Sequence, residues 1–306
     1  MDSPPTGDGI KNRKNALRSC NAFFILGDRL AFSSIFSMRE RVGVRGGYNI
    51  FQLTVFYASE EMKKKYLLII EYEGTAYHGW QVQKNGITVQ EVVEKALSKI
   101  TKTETTVFSS GRTDAGVHAE GMPAQFVTES KMKPYEFLFA LNSHLPLDIT
   151  IREVRKVPMA FNARGSAKQK LYRYTILNRD HPSALNYRRS WFIPHILDVA
   201  AMRRAAKYFV GRHDFTSFRA GNCNAKSPIR NLDRVEIYKE DGFLKLEFEG
   251  KGFLKHMVRN LVGTLVHVGR KRIPARQVKT ILEARNRQAA GPNAPAQGLC
   301  LIEVRY

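Results

Sequence analysis

The stretch Tyr66-Leu-Leu-Ile-Ile-Glu-Tyr72 begins the part of the chain in which strand and helix patterns alternate regularly. It is rich in residues that favour β-strands, and Gly74 follows it as a turn signal. Thr88-Val-Gln-Glu91 then matches a capping box, which predicts that a helix begins there. The apolar residues of this helix recur at helical spacing, and they are Val89, Val92, Val93, Ala96, Leu97 and Ile100. They share one face, so we expect the helix to pack on a sheet.

Four further elements complete the pattern that this strand and helix begin. Residues 106–110 and 124–128 read as strands, and Pro134 is a favourable first residue for a second helix. Residues 149–154 form the next predicted strand. The predicted order is therefore β-α-β-β-α-β, which is that of a ferredoxin-like unit.

The same order recurs in the second half. Strands are predicted at 171–177, 232–238, 243–249 and 299–305, and Asp241-Gly242 predicts a hairpin between the middle two. Helices are predicted from Asp198 to Gly211, at 254–268 and, as an additional short one, from Pro274. The sequence thus predicts an α+β fold of two tandem ferredoxin-like units, with mainly antiparallel sheets around a central basic cleft. We expect an N-terminal domain at 62–165 and a C-terminal domain at 166–306, after an extension at 1–61.

The chain is strongly basic, with a formal net charge of +21 at pH 7. Residues 1–61 hold 8 basic and 6 acidic side chains, so nearly all of the excess belongs to the region of regular elements. Such a charge attracts polyanions, and a basic cleft suits RNA, whose unstacked bases can lie on aromatic or arginine planes. Fold and charge alone would fit a non-catalytic double RNA-binding module.

Cys20, Cys223 and Cys300 are isolated in the sequence, so neither a disulfide framework nor a zinc knuckle is predicted. A reducing compartment, the cytoplasm, fits this cysteine usage best. No run approaches the roughly 18 consecutive apolar residues of a membrane span, so no membrane partner is expected.

Residues 1–61 are expected to be weakly ordered. The alternatives for them are an organellar transit peptide and an upstream start codon, with Met62 as the true start.

The segment Ser110-Gly-Arg-Thr-Asp-Ala-Gly-Val-His-Ala119 lies between two predicted strands of the first unit. It places Asp114 between two glycines, with Arg112 two residues before it and His118 four residues after it. A carboxylate on a glycine-bounded loop suits a nucleophile, whereas Asp-Ala-Gly is also ordinary turn chemistry. A metal site of Asp114 and His118 lacks a cluster of further ligands. The segment by itself does not decide whether Asp114 is a nucleophile or only a turn residue.

Two segments of the second half offer partners for Asp114. Tyr172 and Tyr174 share one face of a predicted strand, a pattern that is also common in core packing. Lys255 and Arg259 are four residues apart in a predicted helix and would lie on one face of it. Such a basic face is usually only solvated. An arginine within a few ångströms of Asp114 would, however, favour the ionised carboxylate and orient it.

Taken together, these segments resemble the TruA-type tRNA pseudouridine synthase family. The matches run in family order from about Tyr66 to the C-terminus, and the run that begins at Gly111 is highly specific. They are Glu71-Tyr-Glu-Gly74, Tyr77-His-Gly-Trp-Gln81, Val89-Gln-Glu91, Gly111-Arg-Thr-Asp-Ala-Gly-Val-His-Ala119, Tyr172-Arg-Tyr174, Asp214-Phe-Thr-Ser-Phe-Arg219, His256-Met-Val-Arg-Asn260 and Gly298-Leu299. The resemblance leaves out only the first 61 residues.

The resemblance implies an isomerase that converts uridine to pseudouridine at positions 38, 39 and 40 in the anticodon stem-loop of tRNA. It also implies a homodimer that uses no cofactor and no metal. By resemblance, Asp114 is the catalytic nucleophile, Tyr172 is the active-site tyrosine that stacks on the uracil, and Arg259 pairs with the catalytic carboxylate.

Three further residues are expected to bind substrate by the same resemblance. A uridine in a stem is stacked, so its nucleotide must be flipped out at a cost of a few kcal/mol. Arg112 is expected to occupy the vacated space or to hold the flipped phosphate, and Leu299 to pack on the base. His118, at the end of the specific run, is the third expected substrate-binding residue.

Overall fold

The structure, a computed structural model, describes residues 63–306. The predictions for residues 1–61, which concern weak order, a transit peptide and the start at Met62, lie outside the described residues, as does Cys20. Within residues 63–306, no helix is both long enough and apolar enough to cross a membrane.

The first half of the described chain contains the strands and helices that its pattern predicts. They are β1 (Lys64–Tyr72), α1 (Val89–Thr101), β2 (Phe108–Ser109), β3 (His118–Thr128), α2 (Pro134–Asn142) and β4 (Ile149–Val157). The Thr88 hydroxyl caps α1 by accepting the Glu91 N–H at 3.4 Å. The Glu91 carboxylate pairs with Lys95 at 2.6 Å, so this ion pair replaces the second half of the predicted capping box.

The second half contains every predicted element and two further strands, and some of its elements begin or end at other residues than predicted. Its elements are β5 (Gln169–Asn178), β6 (Trp191–Ile193), α3 (Val199–Ala206), β7 (Gly211–Asp214), β8 (Ile229–Glu240), β9 (Phe243–Gly250), α4 (Met257–Gly269), α5 (Gln277–Glu283) and β10 (Leu299–Arg305). The sequence did not predict β6 and β7. Gly211, at φ +103°, begins β7 and does not end α3, which stops at Ala206 before a 3-10 turn.

The strands form one mostly antiparallel sheet in the order β4-β1-β3-β10-β5-β9-β8-β7, with β2 on β3 and β6 on β5. Only the β10–β3 and β5–β6 pairs are parallel among the described strands. The C-terminal strand β10 therefore lies between β3 of the first half and β5 of the second half, and it pairs with both. Cys300 and Leu301 of β10 pair with His118 and Ala119, and β1 also pairs with β3 as far as Ala119, so β3 begins six residues before its predicted start.

The core lies on one face of this sheet. Along β1, the alternate residues Tyr66, Leu68, Ile70 and Tyr72 are buried, as the period of a strand requires. The other face of β5 carries Arg173, which forms an ion pair with the buried Glu247 at 2.8 Å. The fold is thus α+β, and it places the β2–β3 loop beside the start of α4, where the candidate site lies.

Candidate active site

Asp114 lies in the β2–β3 loop, which is held by the backbone of residues 77–80. The Thr113 carbonyl accepts the Trp80 N–H at 3.2 Å, and the Gly116 N–H donates to the Tyr77 carbonyl at 3.3 Å. A turn follows the aspartate, because the Val117 N–H donates to the Asp114 carbonyl at 3.2 Å. The predicted turn is therefore present, and the Asp114 side chain extends from it to Arg259 in the second half of the chain.

Gly79 makes the close approach of this loop possible. Its φ is +88°, and a Cβ added there would lie 2.6 Å from the Thr113 carbonyl oxygen. Any side chain would both strain the backbone and push the loop away. The Tyr72 hydroxyl, at the end of β1, also holds the loop through a hydrogen bond of 2.8 Å with Thr113 Oγ1. The position of Asp114 is thus set by backbone hydrogen bonds to residues 77–80 and by the side-chain hydrogen bond of Thr113 with Tyr72.

Arg259 of α4 meets Asp114, as predicted. Its Nη1 lies 3.3 Å from Asp114 Oδ2, and the two side chains are 13% and 23% exposed. Its Nε donates to the Ala294 carbonyl at 2.7 Å, so the guanidinium is held at two points. Lys255 lies before the first residue of α4. The predicted sharing of one helical face by Lys255 and Arg259 is therefore wrong.

His256 is a second cationic or polar neighbour of Asp114, and it was missed from the sequence. Its Nε2 lies 3.6 Å from Asp114 Oδ2, and its Nδ1 lies 3.3 Å from Asn293 Nδ2. Burial lowers the pKa of His256, the neighbouring Asp114 opposes that shift, and Arg259 adds to it. The backbone of His256 is left-handed, with φ +61°. No periodicity in the sequence signals such a position.

Tyr172 lies in the middle of β5, between Leu301 of β10 and Phe248 of β9. Its ring meets that of Phe253 edge to face, with centroids 5.0 Å apart. Burial raises the pKa of its hydroxyl, and the charge of Asp114 raises it further. The hydroxyl is therefore protonated at neutral pH, and the residue offers a buried aromatic ring close to the candidate nucleophile.

Tyr174 and Leu299 lie side by side next to this ring. Tyr174 shares the face of Tyr172, as predicted, and its hydroxyl donates to the Pro295 carbonyl at 2.7 Å. Leu299 is the first residue of β10, is buried and lies opposite Tyr174 in the antiparallel register. A Cβ on Gly298 would lie 2.5 Å from the Tyr174 ring, so this end of β10 packs tightly on β5.

His118 is buried at the start of β3, where both ring nitrogens bind backbone groups. Its Nδ1 accepts the Gly74 N–H at 2.9 Å, so Nε2 carries the hydrogen and faces the carbonyls of Arg188 at 2.8 Å and Gln297 at 3.1 Å. Burial lowers the pKa of His118, although the nearby Glu73 opposes this. The ring thus ties the β2–β3 loop to the segment that leads into β10, and its role in substrate binding stays a prediction.

Two basic side chains, Arg112 and Lys170, lie at the N-terminal end of the β2–β3 loop. Arg112 is exposed, and within the described chain its side chain has no hydrogen-bond or ion-pair partner. Lys170 is half-buried, and its Nζ donates to the Ser110 carbonyl at 2.8 Å. Burial lowers the pKa of Lys170 to about 8, and Arg164 adds to the shift. The sequence does not single out Lys170, because its contact with Ser110 depends on a loop 60 residues away along the chain.

The residues that meet at this place are one carboxylate, one arginine, one histidine and an aromatic ring. Among residues 63–306, no group of three His, Cys, Asp or Glu side chains is arranged as metal ligands would be. A carboxylate that is held by an arginine beside an aromatic ring can act as a nucleophile toward an electrophilic carbon of a planar substrate. Asp114, Arg259, Tyr172 and Leu299 are brought together from both halves of the chain.

Comparison with known proteins identifies relatives over the same region. A sequence profile of a tRNA pseudouridine synthase family matches residues 68–164 and 205–306. A protein named tRNA pseudouridine synthase A from Acetivibrio thermocellus is 48% identical over 239 residues, which cover 78% of this chain and 98% of the relative. Proteins of the same name from Geotalea daltonii and Ruminiclostridium cellulolyticum are 47% and 46% identical, and the matches cover 98% and 100% of their lengths.

Proposed function

The chain belongs to the tRNA pseudouridine synthase family, and we propose that Asp114 is its catalytic nucleophile. The enzyme is an isomerase that converts uridine to pseudouridine in tRNA. The observation that carries the role of Asp114 is its 3.3 Å contact with Arg259 across the two halves of the chain.

The chemistry of the isomerisation explains why one carboxylate is enough. The bond between N1 of uracil and C1′ of ribose breaks, the base turns, and C5 bonds to C1′. A proton leaves C5 and a proton is gained at N1, so no atom enters or leaves overall. A glycosidase needs a second carboxyl group to activate water or to protonate a leaving group. Asp114 begins this reaction alone, and Arg259 holds its carboxylate in place.

The neighbouring residues supply the binding of the flipped nucleotide. Tyr172 stacks on the uracil, and Leu299 packs against the base from the adjacent strand. Arg112, which is exposed on the loop two residues before Asp114, holds the phosphate of the flipped nucleotide or fills the space it leaves. The contacts of His118 support a role through the loop, and a direct contact of its ring with tRNA is the less favoured form of that prediction.

The wider organisation of the enzyme follows from the same proposal. The two halves, 62–165 and 166–306, form tandem ferredoxin-like units around a basic cleft that binds the anticodon stem-loop, with positions 38, 39 and 40 as targets. The formal charge of +21 supports this partner, because a phosphate backbone needs many cations to bind it. The active form is a homodimer in the cytoplasm. Mapping pseudouridines in tRNA with and without the enzyme tests which positions are modified.

Asp114→Asn tests the role of the carboxylate, because the amide keeps its shape and removes its charge. We expect pseudouridine formation to fall by at least about 10³-fold, since the amide is no nucleophile. Binding of tRNA should persist, which separates catalysis from a pure RNA-binding module. Asp241→Asn, the same change in the hairpin between β8 and β9, is the matched control and should keep full activity.

Two outcomes would contradict this role. Full activity of Asp114→Asn would remove Asp114 from the chemistry. Free uracil as a product of the native enzyme would indicate hydrolysis of the glycosidic bond, and the isomerase assignment would fail.

A further inference from the structure

His256 and Arg259 both contact the same oxygen of Asp114. Nε2 of His256 lies 3.6 Å from Oδ2, and Nη1 of Arg259 lies 3.3 Å from it. Among the side chains of residues 63–306, none forms a hydrogen bond with Oδ1, and both of the closest contacts are to Oδ2. The two oxygens of the carboxylate are therefore not equivalent.

The hydrogen bond on the far side of the imidazole determines which nitrogen faces Asp114 as a donor. Asn293 Nδ2 can only donate, so Nδ1 of His256 accepts it at 3.3 Å. In the neutral ring, the hydrogen then lies on Nε2 and points toward Oδ2. At 3.6 Å this is an electrostatic contact between an N–H dipole and a carboxylate, since a hydrogen bond would be shorter.

The backbone of His256 supports a functional reason for this arrangement. His256 has φ +61° and immediately precedes α4, in a conformation that glycine and asparagine adopt more easily. Strained residues of this kind are retained where the surrounding structure requires them, often at active sites. A left-handed residue here turns the imidazole back over the loop, whereas a helical residue would begin α4 one position earlier.

We propose that His256 is a positioning residue for the isomerisation, which together with Arg259 binds Oδ2 of Asp114 and leaves Oδ1 to react with the uridine. This inference rests on the proposed role of Asp114. It adds that the reactive oxygen is selected by two donors from α4 and the residue before it. His256 acts through Asp114 and needs no contact with substrate.

Three substitutions of His256 separate its side chain from its backbone. His256→Asn and His256→Gly suit the left-handed backbone and remove the Nε2 donor, so the midpoint of urea unfolding should stay equal or rise. Their kcat should fall by about 10- to 100-fold with little change in KM, because a misoriented nucleophile slows the chemical step. His256→Gln strains the backbone slightly and places an amide N–H near the position of Nε2. It should keep kcat within about threefold of the native enzyme.

Activity and stability are therefore expected to follow opposite orders in this series, which a purely structural role would not produce. Lys102→Asn is the control for the backbone, since Lys102 is exposed at the end of α1 with φ +59°. It should change the unfolding midpoint in the same direction and leave kcat unchanged.

Native kcat in His256→Asn and His256→Gly would overturn the proposal. So would a His256→Gln variant that loses as much activity as His256→Asn, or a series in which KM rises and kcat does not change. These outcomes differ from a failure of the proposed function, because Asp114→Asn would still be inactive in each of them.

Discussion

Lys170 is a charged side chain in surroundings that disfavour its charge. It lies two residues before Tyr172 in β5, and its Nζ donates to the Ser110 carbonyl at 2.8 Å. Burial lowers its pKa from the usual 10.5 to about 8, with a smaller effect of Arg164. Between these two pH values the unfolded chain binds more protons at this site than the folded chain does. Raising the pH through this range therefore stabilises the fold.

Lys170→Met removes this titration and tests its sign. The free energy of unfolding of the native chain, minus that of Lys170→Met, should rise between about pH 8 and pH 10.5, by at most about 1.4 kcal/mol per pH unit. Urea unfolding of both proteins at pH 7, 8, 9 and 10 measures the difference, in which all other titrations cancel. Lys168→Met, at an exposed neighbour, is the control. Two curves that stay parallel over this range would contradict the prediction.

The β2–β3 loop and residues 77–80 act as one element, although neither is a helix or a strand. The loop carries Asp114, and the residues beneath it bind its backbone at Thr113 and Gly116. Gly79 lies at their closest approach. The geometry of the site is therefore sensitive to changes that do not touch any reacting group.

Gly79→Ala should reduce kcat by about 100-fold, because the loop that carries Asp114 must move away from the new methyl group. Gly242→Ala is a matched control. Gly242 has φ +79° against +88° for Gly79, and a Cβ there would meet nothing within 4 Å. Both variants should lose about 1 kcal/mol of stability from the left-handed backbone, and only the first should lose activity. Equal kcat values in the two variants would show that the close approach does not position Asp114.

At the scale of the whole molecule, the most distinctive property is the net positive charge of the chain. The excess of basic over acidic side chains lies almost entirely in residues 62–306, which hold 41 basic and 22 acidic ones. Some of these cations form ion pairs on the sheet, such as Arg234 with Glu249 at 2.8 Å. Exposed cations such as Arg112 remain available for phosphates, so binding of tRNA should release many counterions.

Affinity for tRNA should therefore fall by at least about tenfold when the salt concentration is doubled from about 0.1 M to 0.2 M. Binding to the Asp114→Asn variant measures this without turnover. A plot of log Kd against log salt gives the number of phosphates neutralised. A flat plot would contradict the basic cleft, whatever the activity of the native enzyme.

Much of the fold followed from patterns within the sequence, because a strand or helix depends on neighbours two to four residues away. The alternation in β1, the cap at Thr88 and the Asp241-Gly242 hairpin are of this kind, and each is present. The ends of elements were less predictable. The early start of β3 depends on its pairing with β1 as far as Ala119 and with β10 at His118, and α4 begins late because His256 is left-handed.

Some features of the site could likewise be predicted from the sequence, and others could not. Asp114 and Arg259 could be selected from the sequence by their chemistry and by the family that their segments resemble. The tertiary structure decided three further features of the site. His256 and Arg259 meet one oxygen of Asp114, half-buried Lys170 donates to the loop at Ser110, and His118 binds three backbone segments. Local patterns report which face of an element is apolar, whereas these contacts join residues 44 to 179 positions apart, which depend on how the chain folds into one sheet.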